Sequence, residues 1–386
     1  MIATIPETLP SRLRATVETI GEALAFAALQ REWDELLQSS DSDGLFLTWE
    51  WLFTWWKHLA GDRQLSILAV RCDGELAALA PCALRRPSLF HRRPLPVLEF
   101  LGSGLVGSDY LDVIVRRGRE PEVRQALASW LAGKRPMLHW TQLKRAVSQA
   151  AGVVSALAGN GWGVVEAVTN ICPFIPLAGR SWESYLATLG AEHRYNFNRK
   201  WKRLNRDYTV QFDRVSTQAQ CRESIDLVIA QHNSRWRDRG GSDAFHAPGL
   251  VEFHREFSQI ALDRDWLRLY VLRLDGQPAA CLYGFLYRRT FYFYQSGFDA
   301  AYEKHSVGLV AMGLAIKSAT EEGAEEYDLL HGNEAYKSHW SCHSRELSRL
   351  EAYPPRALGW ICRSSVELER AARRIARRLL SKGAPA

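Results

Sequence analysis

One stretch near the C-terminal end constrains the fold of this chain more than any other part of its 386 residues. Leu269–Leu274 and Ala279–Tyr287 are apolar, partly alternating segments on either side of Asp275-Gly276, a dipeptide typical of a two-residue hairpin turn. Phe291–Phe298, with the sequence FYFYQSGF, is a third predicted strand, because aromatic residues favour a pleated, half-buried surface. The pattern therefore predicts two strands joined by a tight turn and a third strand after them.

The apolar spacing becomes helical at Val307, and a short strand over Tyr327–Leu330 is expected after this helix. Ser306 is a candidate N-cap. The first N–H groups of a helix have no partner within the helix, and its dipole is positive there, so this end favours an anion. Because Lys304 and His305 precede it, the segment is expected to seat a pyrophosphate. The loop is not rich in glycine, so an ordinary connection between strand and helix stays open as the alternative.

The order of hairpin, aromatic strand, anion-binding helix and strand is that of the GNAT acyltransferase fold. Within that fold the chain resembles the BioF2-like or CelD-like acetyltransferases, which are related to the Fem peptidoglycan aminoacyltransferases. The resemblance spans roughly Phe46 to Trp340 and rests on the segments TWEWLFTWW, LGSGLVGSDYLDV, HRYNFNRKWKRL, YFYQSGFD, HSVGL and YDLLHGNEAYKSHW. It implies an α/β (α+β) fold with tandem GNAT-like, acyl-CoA N-acyltransferase domains in a Fem-like architecture.

A second hairpin pattern supports two similar units. The segment LAVRCDGELAA, with its turn at Asp73-Gly74, is similar to YVLRLDGQPAA, and each is followed by further predicted strands and a helix. Only the second unit is expected to carry the donor site, because the first has no counterpart of YFYQSGFD leading through HSVGL into a helix. The predicted divisions are an N-terminal extension over 1–20, an N-terminal GNAT-like domain over 21–168, a C-terminal GNAT domain with the acyl-CoA site over 169–350, and a basic amphipathic helix over 351–386. Residues 1–20 have little pattern, a helix is predicted over Glu22–Leu37 and a strand over Tyr110–Val115, and the fold is expected to be complete after Trp340.

Composition argues against several classes of protein. Seven Cys residues without regular spacing do not indicate a disulfide framework. Met1–Ala15 lacks the apolar run of a signal peptide, and no stretch approaches the roughly 20 apolar residues that span a bilayer, so a cytoplasmic protein is expected. The net charge of +6 lies in the tail, because the chain from Arg356 onwards has eight Lys or Arg and two Glu. A body without net charge does not favour nucleic-acid binding.

The basic tail has the pattern of an amphipathic helix. Its apolar or small positions recur at spacings of three and four, and arginines occupy other faces. Two hypotheses follow. The helix makes peripheral contact with the inner face of an anionic membrane, or it packs on the body of the protein or on a partner helix. The apolar stripe is Leu358, Ile361, Ser365, Leu368, Ala372, Ile375 and Leu379, and the arginines are Arg363, Arg370, Arg374, Arg377 and Arg378.

A second basic segment, Glu192–Arg206, is predicted to be a helix with Phe197, Trp201 and Leu204 on its apolar face. A charge run of this kind is usually a solvated helix face. The alternative is an electrostatic seat for the phosphates of CoA, for a phosphorylated substrate or for anionic lipid. Both interpretations stay open from the sequence.

Acyl transfer from a thioester to an amine needs a base for the acceptor ammonium and an acid for the leaving thiolate. It also needs a donor for the carbonyl oxygen that gains charge, which a backbone N–H on a splayed third strand can supply. The candidate catalytic residues are Asp109, Tyr294, His331, Glu334 and Tyr336, with Asp112 and Tyr302 as further acid–base candidates.

The resemblance places the acyl group beside Gln295 and Ser296, and it assigns Lys337 and Trp340 to the closing motif that positions substrate. Structural roles are the alternative for each residue, since Glu334 and Lys337 have the spacing of a simple surface pair on a helix. The predicted donor-binding residues are Gln295, Ser296, Lys304, His305, Ser306, Val307 and Gly308, and the predicted acceptor-binding residues are Tyr110, Arg194, Arg199, Lys337 and Trp340.

These patterns predict an N-acyltransferase that moves an acyl group from acyl-CoA, a co-substrate with an acetyl or longer chain, to a primary amine. Direct transfer is favoured because the sequence has no G-x-S-x-G motif and no cysteine with an evident neighbouring base. His339, Cys342 and His343 have a spacing seen in zinc sites, but no second cluster completes such a site, so no metal is predicted.

The resemblance leaves the acceptor open. It allows an amino sugar of an exopolysaccharide, or a long-chain sphingoid-type amine, since bacterial ceramide synthases look similar to this family. Two alternatives remain, which are Fem-like transfer of an amino acid from aminoacyl-tRNA and a non-catalytic role in envelope-polysaccharide (cellulose) biosynthesis. Against the first, the sequence shows no long helical-hairpin insertion of the kind that some Fem proteins carry.

Overall fold

The computed structural model describes residues 15–87, 94–237, 249–332, 334–355, 357 and 359–368. These residues form a mixed α/β fold with one sheet of four strands and one sheet of eleven strands. Within this part of the chain, no helix combines the length and the apolar character needed to cross a bilayer.

The elements of the first part of the chain are named in chain order. The strands are β1 (Ala15–Ile20), β2 (Gln64–Leu65), β3 (Ile67–Cys72), β4 (Glu75–Ala80), β5 (Cys82–Arg85), β6 (Val97–Phe100), β7 (Ile114–Val115) and β8 (Met137–Lys144). The helices are α1 (Ala23–Ala28), α2 (Gln30–Gln38), α3 (Trp49–Leu59), α4 (Glu120–Lys134) and α5 (Gln149–Gly159).

The second part contains the longer strands and helices. Its strands are β9 (Gly163–Pro176), β10 (Val210–Arg214), β11 (Leu267–Leu274), β12 (Gln277–Tyr287), β13 (Thr290–Phe298), β14 (Glu326–Asp328) and β15 (His343–Tyr353). Its helices are α6 (Trp182–Thr188), α7 (Ala191–Asp207), α8 (Gln218–Arg237), α9 (Leu250–Asp263), α10 (Val307–Glu321) and α11 (Ala335–Trp340), and residues 359–368 are helical as well.

Strand order joins the two parts of the chain. The small sheet has the order β1-β3-β4-β7, and the large one has the order β10-β11-β12-β13-β14-β9-β15-β8-β6-β5-β2. The last strand, β15, pairs antiparallel with β9 on one side and with β8 on the other. We expected the fold to be complete at Trp340, and that expectation is wrong, because the eleven residues of β15 lie at the centre of the large sheet. The division at residue 168 stays a prediction, although it falls inside β9.

The two predicted hairpins have the same geometry. Asp73 and Gly74 have positive φ angles of 52° and 90°, and Asp275 and Gly276 have 50° and 79°, as a two-residue hairpin turn of the mirror-image type requires. The register shifts two to three residues before each turn, between Val70 and Arg71 in β3 and between Leu272 and Arg273 in β11. The shared turn and the shared irregularity support the internal repeat.

Several predicted elements differ in the structure. Ala15–Ile20, expected to have little pattern, is strand β1 and pairs with β3. The strand expected over Tyr110–Val115 is reduced to two residues, because Tyr110 has a φ of 58° that a strand does not allow. The helix expected over Glu22–Leu37 is two helices that meet at Leu29. Strand β10 was not predicted.

A segment without regular structure, residues 101–113, is called here the bridging loop. It follows β6 and is fixed to the core by Trp51 of α3, whose indole N–H donates to Ser108 Oγ over 2.8 Å. Trp51 is fully buried and packs edge-on against Phe253 and Phe257 of α9, with ring centroids 4.9 and 4.6 Å away. One hydrophobic core therefore extends across both units and holds the loop between them.

Candidate active site

An aspartate and a histidine meet where the bridging loop contacts the second unit. The side chain of Asp109 is completely buried, and its Oδ1 lies 2.7 Å from Nδ1 of His331, the residue three positions after β14. Its Oδ2 accepts a hydrogen bond of 2.8 Å from the backbone N–H of His331. Because the carboxylate holds a proton on Nδ1, the lone pair of the imidazole lies on Nε2. The structure thus brings together two of the predicted catalytic residues.

The environment of His331 favours its protonated form. Burial alone lowers the pKa of the imidazole, but the hydrogen bond and the negative charge of Asp109 outweigh burial and raise the pKa above its ordinary value. About one third of the His331 side chain is exposed. A histidine with this arrangement can accept a proton from a bound group at Nε2 and hold it.

Unusual backbone conformations position the pair. Tyr110, Gln142 and Leu330 have positive φ angles of 58°, 61° and 54°, and such non-glycine residues cost about 1–3 kcal/mol each. Tyr110 and Leu330 are the direct neighbours of Asp109 and His331 in the sequence. The side-chain amide of Gln142 donates to Asp109 Oδ1 over 2.7 Å. Three strained residues around one ion pair are typical of a functional site, where the surrounding packing enforces the geometry.

A cavity of about 200 Å³ lies above this pair. It is bordered by the bridging loop, by the start of α9, by β13 and by the segment after β14. The cavity therefore contains five further predicted site residues in addition to His331. Its lining includes Val106, Gly107, His254, Tyr294, Gln295, His331, Glu334, Tyr336 and Lys337.

Tyr294 is bound on both sides within this cavity. Its hydroxyl donates to the carbonyl oxygen of Val106 and lies 3.2 Å from Nε2 of His254. Burial is the main reason that the pKa of Tyr294 is raised far above its ordinary value, and the charge of Asp109 adds to this. Burial lowers the pKa of His254 to about 3, so this imidazole is neutral at physiological pH. Tyr294 therefore stays protonated and contacts the bridging loop.

Lys337 is a buried cation at the edge of the cavity. Its Nζ lies 3.1 Å from Glu334 Oε2 and donates to the carbonyl oxygen of His331 over 2.9 Å. Only about 5% of the Lys337 side chain is exposed, whereas that of Glu334 is about 44% exposed. The pair is therefore more than a surface contact between helix residues, because Lys337 fixes the backbone at His331.

Strand β13 has an open edge beside the cavity. It pairs with β14 only over Thr290–Tyr292, whereas β13 itself continues to Phe298. The register with β12 skips Tyr294, since Tyr283 pairs with Gln295 and Gly284 pairs with Phe293. Such a bulge bends a strand and turns a side chain toward a site. Beyond Tyr292 the edge of β13 is thus not paired with β14, and the N–H of Ser296 there donates to Oε1 of Gln295 over 3.0 Å.

The segment before α10 differs from the expectation in one detail. Ser306 occupies the N-cap position of α10 as predicted, but it has a left-handed φ of 58° and its side chain makes no capping hydrogen bond. Its carbonyl oxygen accepts from the N–H groups of Leu309 and Val310, which leaves the start of the helix at Val307 and Gly308. Gly308 is exposed, and Lys304 is exposed just before the helix. Phosphate binding by residues 304–308 stays a prediction.

The basic helix α7 packs against α10. Phe197 packs against Gly313, where an added Cβ would lie 2.1 Å from the ring, and Leu204 packs with Val307 and Val310. The C-terminal end of α7 therefore lies beside the start of α10, and Lys200, Lys202, Arg203 and Arg206 belong to that end.

The structure separates Arg194 and Arg199 from the cavity lining. The guanidinium of Arg194 donates to the carbonyl oxygens of Ala187 and Leu189, at the end of α6 and just after it. Arg199 contacts Asn196 and lies over the ring of Tyr195. These contacts give both arginines local structural partners, and their role in acceptor binding stays a prediction.

Tyr110 lines a second cavity of about 530 Å³ rather than the one at His331. Its hydroxyl donates to Asp328 Oδ2 over 2.7 Å, and Arg345 lies 3.6 Å from the same oxygen. Burial raises the pKa of Asp328 to about 7, although Arg345 and Tyr110 oppose that shift. Strand β15 thus supplies a cation to a buried carboxylate of β14.

Two other candidates have structural roles. Asp112 accepts hydrogen bonds from the backbone N–H groups of Val113, Gln149 and Ala150 and from the Ser148 hydroxyl, so it holds the start of α5. Tyr302 packs in the cluster around α10.

Trp340 also belongs to the core. It is 1% exposed, and its backbone carbonyl accepts from the hydroxyl of Tyr185 over 2.8 Å.

Among the residues that the structure describes, no group of three His, Cys, Asp or Glu side chains is arranged to hold a metal ion.

Sequence reasoning missed His254 and Gln142. His254 lies on the buried face of α9 with Phe253, Phe257 and Ala261, so a polar residue on an apolar helix stripe was the available signal. Gln142 gave no such signal, because its contact with Asp109 depends on a backbone angle that the sequence does not reveal.

Comparisons with known proteins agree with this geometry. Residues 191–338 match the acetyltransferase (GNAT) domain. The structure of FemX is similar to this chain with a TM-score of 0.59 at 12% identity, over 83% of this chain and 95% of FemX. The sequence has no match among curated proteins.

Two further solved structures are also similar to this chain. L-PGS from Bacillus licheniformis has a TM-score of 0.53 at 13% identity, over 90% of this chain and 96% of that one. The C-terminal domain of a putative lysylphosphatidylglycerol synthetase from Agrobacterium fabrum has a TM-score of 0.50 at 12% identity, over 85% and 92%. The predicted fold is therefore confirmed: the chain has a mixed α/β fold that contains a GNAT domain and has a tandem GNAT-like, FemX-like architecture. The similarities do not single out the BioF2-like or CelD-like branch.

Proposed function

We propose that this protein is an N-acyltransferase that moves an acyl group from acyl-CoA to a primary amine, with His331 as the general base. The observation that carries the proposal is the Asp109–His331 pair at the floor of a cavity whose wall is the open edge of β13. A base, a row of backbone groups and a neighbouring helix start are the parts that acyl transfer to an amine needs. The GNAT domain match supports the reaction type.

In the proposed reaction, Nε2 of His331 removes a proton from the acceptor ammonium, and the amine nitrogen attacks the thioester carbon. The carbonyl oxygen becomes an oxyanion and accepts a hydrogen bond from the backbone of β13 beyond Tyr292. The C–S bond then breaks, and the thiolate takes a proton from a tyrosine. The nitrogen of the new amide loses its second proton, which returns the tyrosine to its protonated form. Tyr336 suits that role better than Tyr294, whose hydroxyl is directed at the carbonyl of Val106.

The identities of the donor and of the acceptor are part of this proposal. Acyl-CoA with an acetyl or longer chain fits the helix start at Gly308, and the acceptor is an amino sugar or a long-chain amine. Fem-like transfer of an aminoacyl group is the second candidate, because FemX and L-PGS share this fold. We place the protein in the cytoplasm, where acyl-CoA is made. A non-catalytic role in envelope-polysaccharide biosynthesis would not explain the strained backbone around Asp109.

The test measures release of free CoA thiol from acyl-CoA of several chain lengths, with glucosamine or a long-chain amine as acceptor. His331→Gln should lower kcat/KM by about 10²- to 10⁴-fold, the contribution of a general base. The rate should rise with pH as the imidazole loses its proton, with a midpoint above the ordinary histidine pKa, because Asp109 stabilises the charged form.

A matched control is His58→Gln. His58 also contacts a carboxylate, Glu256, over 2.7 Å, but it lies outside the cavity, so the control should keep full activity. A His331→Gln variant that retains wild-type turnover would refute the role of this base. If the protein turns over aminoacyl-tRNA and no acyl-CoA, then the donor is aminoacyl-tRNA, and the Fem-like candidate is supported.

A further inference from the structure

The helix at residues 359–368 presents one face to the body and an apolar face to solvent. Cys362 is 2% exposed and packs with Val97, Met137 and Tyr353, and Val366 packs on the same cluster. This contact fixes which side of the helix is turned inward.

The outward side carries large apolar residues. Trp360, Ile361 and Leu368 are 71%, 46% and 63% exposed. At about 100° per residue they fall within an arc of about 100°, opposite Cys362 and Val366. Ile361 and Leu368 are members of the apolar stripe predicted from the sequence, so the described part of that stripe faces away from the body. The stripe's later members, Ala372, Ile375 and Leu379, lie outside the described residues.

Charge indicates what covers this face. The chain from Arg356 to the end carries eight Lys or Arg and two Glu, whereas the remainder of the chain is close to neutral. Arg363 is exposed beside the apolar face and pairs with Glu367 over 2.9 Å. Most of the other cations, Arg370, Arg373, Arg374, Arg377, Arg378 and Lys382, follow in the part of the tail outside the described residues.

We propose that this face docks on an anionic lipid bilayer, with Trp360, Ile361 and Leu368 inserted at the interface, and that the positive charge of the tail attracts the headgroups. An exposed apolar face flanked by basic residues is the arrangement of helices that lie in the plane of a membrane surface. Tryptophan favours the level of the headgroups. A second copy of the chain is a poorer occupant, because two such tails would bring like charges together.

The test uses the full-length protein and vesicles of equal parts phosphatidylglycerol and phosphatidylcholine, compared with phosphatidylcholine alone. Wild-type protein should sediment with the anionic vesicles and be released by salt, since the attraction falls with ionic strength. The double variant Trp360→Gln/Leu368→Gln should bind at least about tenfold more weakly, because it removes apolar area from the bilayer.

Two matched variants sharpen the result. Leu24→Gln removes another exposed apolar residue, 87% exposed on α1, and should leave vesicle binding unchanged. The triple variant Arg370→Gln/Arg374→Gln/Arg377→Gln should weaken binding by about a hundredfold, since each basic residue near an anionic surface contributes about fivefold. The melting temperature of the double variant should equal that of wild type, because the replaced side chains contact solvent.

Several outcomes would overturn the proposal. Absence of sedimentation with anionic vesicles would do so, and so would equal binding by wild type and the double variant. If the double variant instead converts a dimer to a monomer in analytical ultracentrifugation, and no vesicle binding is observed, the face is an interface between copies of this chain.

Discussion

The two hairpins of this protein have the same turn but are followed by different structures. After the turn at Gly276, β13 is nine residues long and leads through a short connection into α10. After the turn at Gly74, the corresponding third strand β7 is only two residues long, and the bridging loop precedes it. The difference therefore lies in the third strand and in the segment next to it.

The two units differ in the role that this region has. In the second unit, the long strand gives an open edge and a helix start, which suit a donor. In the first unit, the same region no longer forms a long strand, and it reaches across to place Asp109 against His331. Neither unit contains the complete Asp–His pair, so the proposed activity needs both.

The largest expected effect comes from breaking the contact between the units. Asp109→Asn removes the charge that stabilises protonated His331. It also replaces one of the two oxygens that accept from His331 with an NH₂ group, which can only donate. We expect kcat/KM to fall by about 10²-fold or more, with the midpoint of the pH–rate profile shifted to lower pH. Steady-state kinetics across pH measures both changes.

Asp112 in the same loop provides the control. Asp112→Ala leaves backbone N–H groups of α5 without an acceptor and should lower the free energy of unfolding by about 2–4 kcal/mol in urea denaturation. Activity per folded molecule should be retained. If the two variants behave alike, the bridging loop has only a structural role.

A smaller effect is expected at the start of α10 in the second unit. The first turn of α10 contains no acidic residue, whereas that of α4 in the first unit contains Glu120 and Glu122. Gly308→Glu should weaken acyl-CoA binding by about tenfold in calorimetry, since a carboxylate repels phosphate there.

Gly308→Ala separates charge from size. An added Cβ would lie 3.6 Å from the ring of Phe298, which is ordinary contact, so this variant should bind acyl-CoA as wild type does. Unchanged affinity in folded Gly308→Glu protein would place the donor elsewhere.

The smallest effect tests the similarity of the hairpins. Gly74→Ala and Gly276→Ala introduce no contact within 4 Å, so the left-handed φ is the main source of their cost. Each should lower the free energy of unfolding by about 1 kcal/mol, and by the same amount. Gly133→Ala, in the last turn of α4, should instead stabilise the protein slightly. Unequal losses at the two turns would show that the hairpins are less alike than their backbones.

The elements of the second unit were predictable because their signals are local. The turn at Asp275-Gly276, the aromatic strand and the apolar spacing from Val307 each depend on neighbouring residues. The end of the bridging loop was predicted to belong to a strand over Tyr110–Val115. The sequence pattern there cannot reveal the left-handed φ at Tyr110.

The sequence predicted individual residues of the candidate site, but it did not predict which of them contact each other. Asp109 and His331 were both expected to be bases, and their union as one pair depends on a contact across most of the chain. The roles of Lys337 and Asp112 likewise follow from burial and hydrogen bonds that no spacing rule contains.

The position of β15 has a consequence for how the protein is made. Strands β8 and β9 are synthesised long before β15, and each lacks its neighbour on one side until residues 343–353 have left the ribosome. Until then, two strand edges are exposed in the nascent chain, and such edges readily pair with other chains. Domains commonly fold one after another during translation. In this protein the first unit cannot complete its part of the large sheet before β15 has been synthesised. Completion of the large sheet waits for nearly the whole polypeptide.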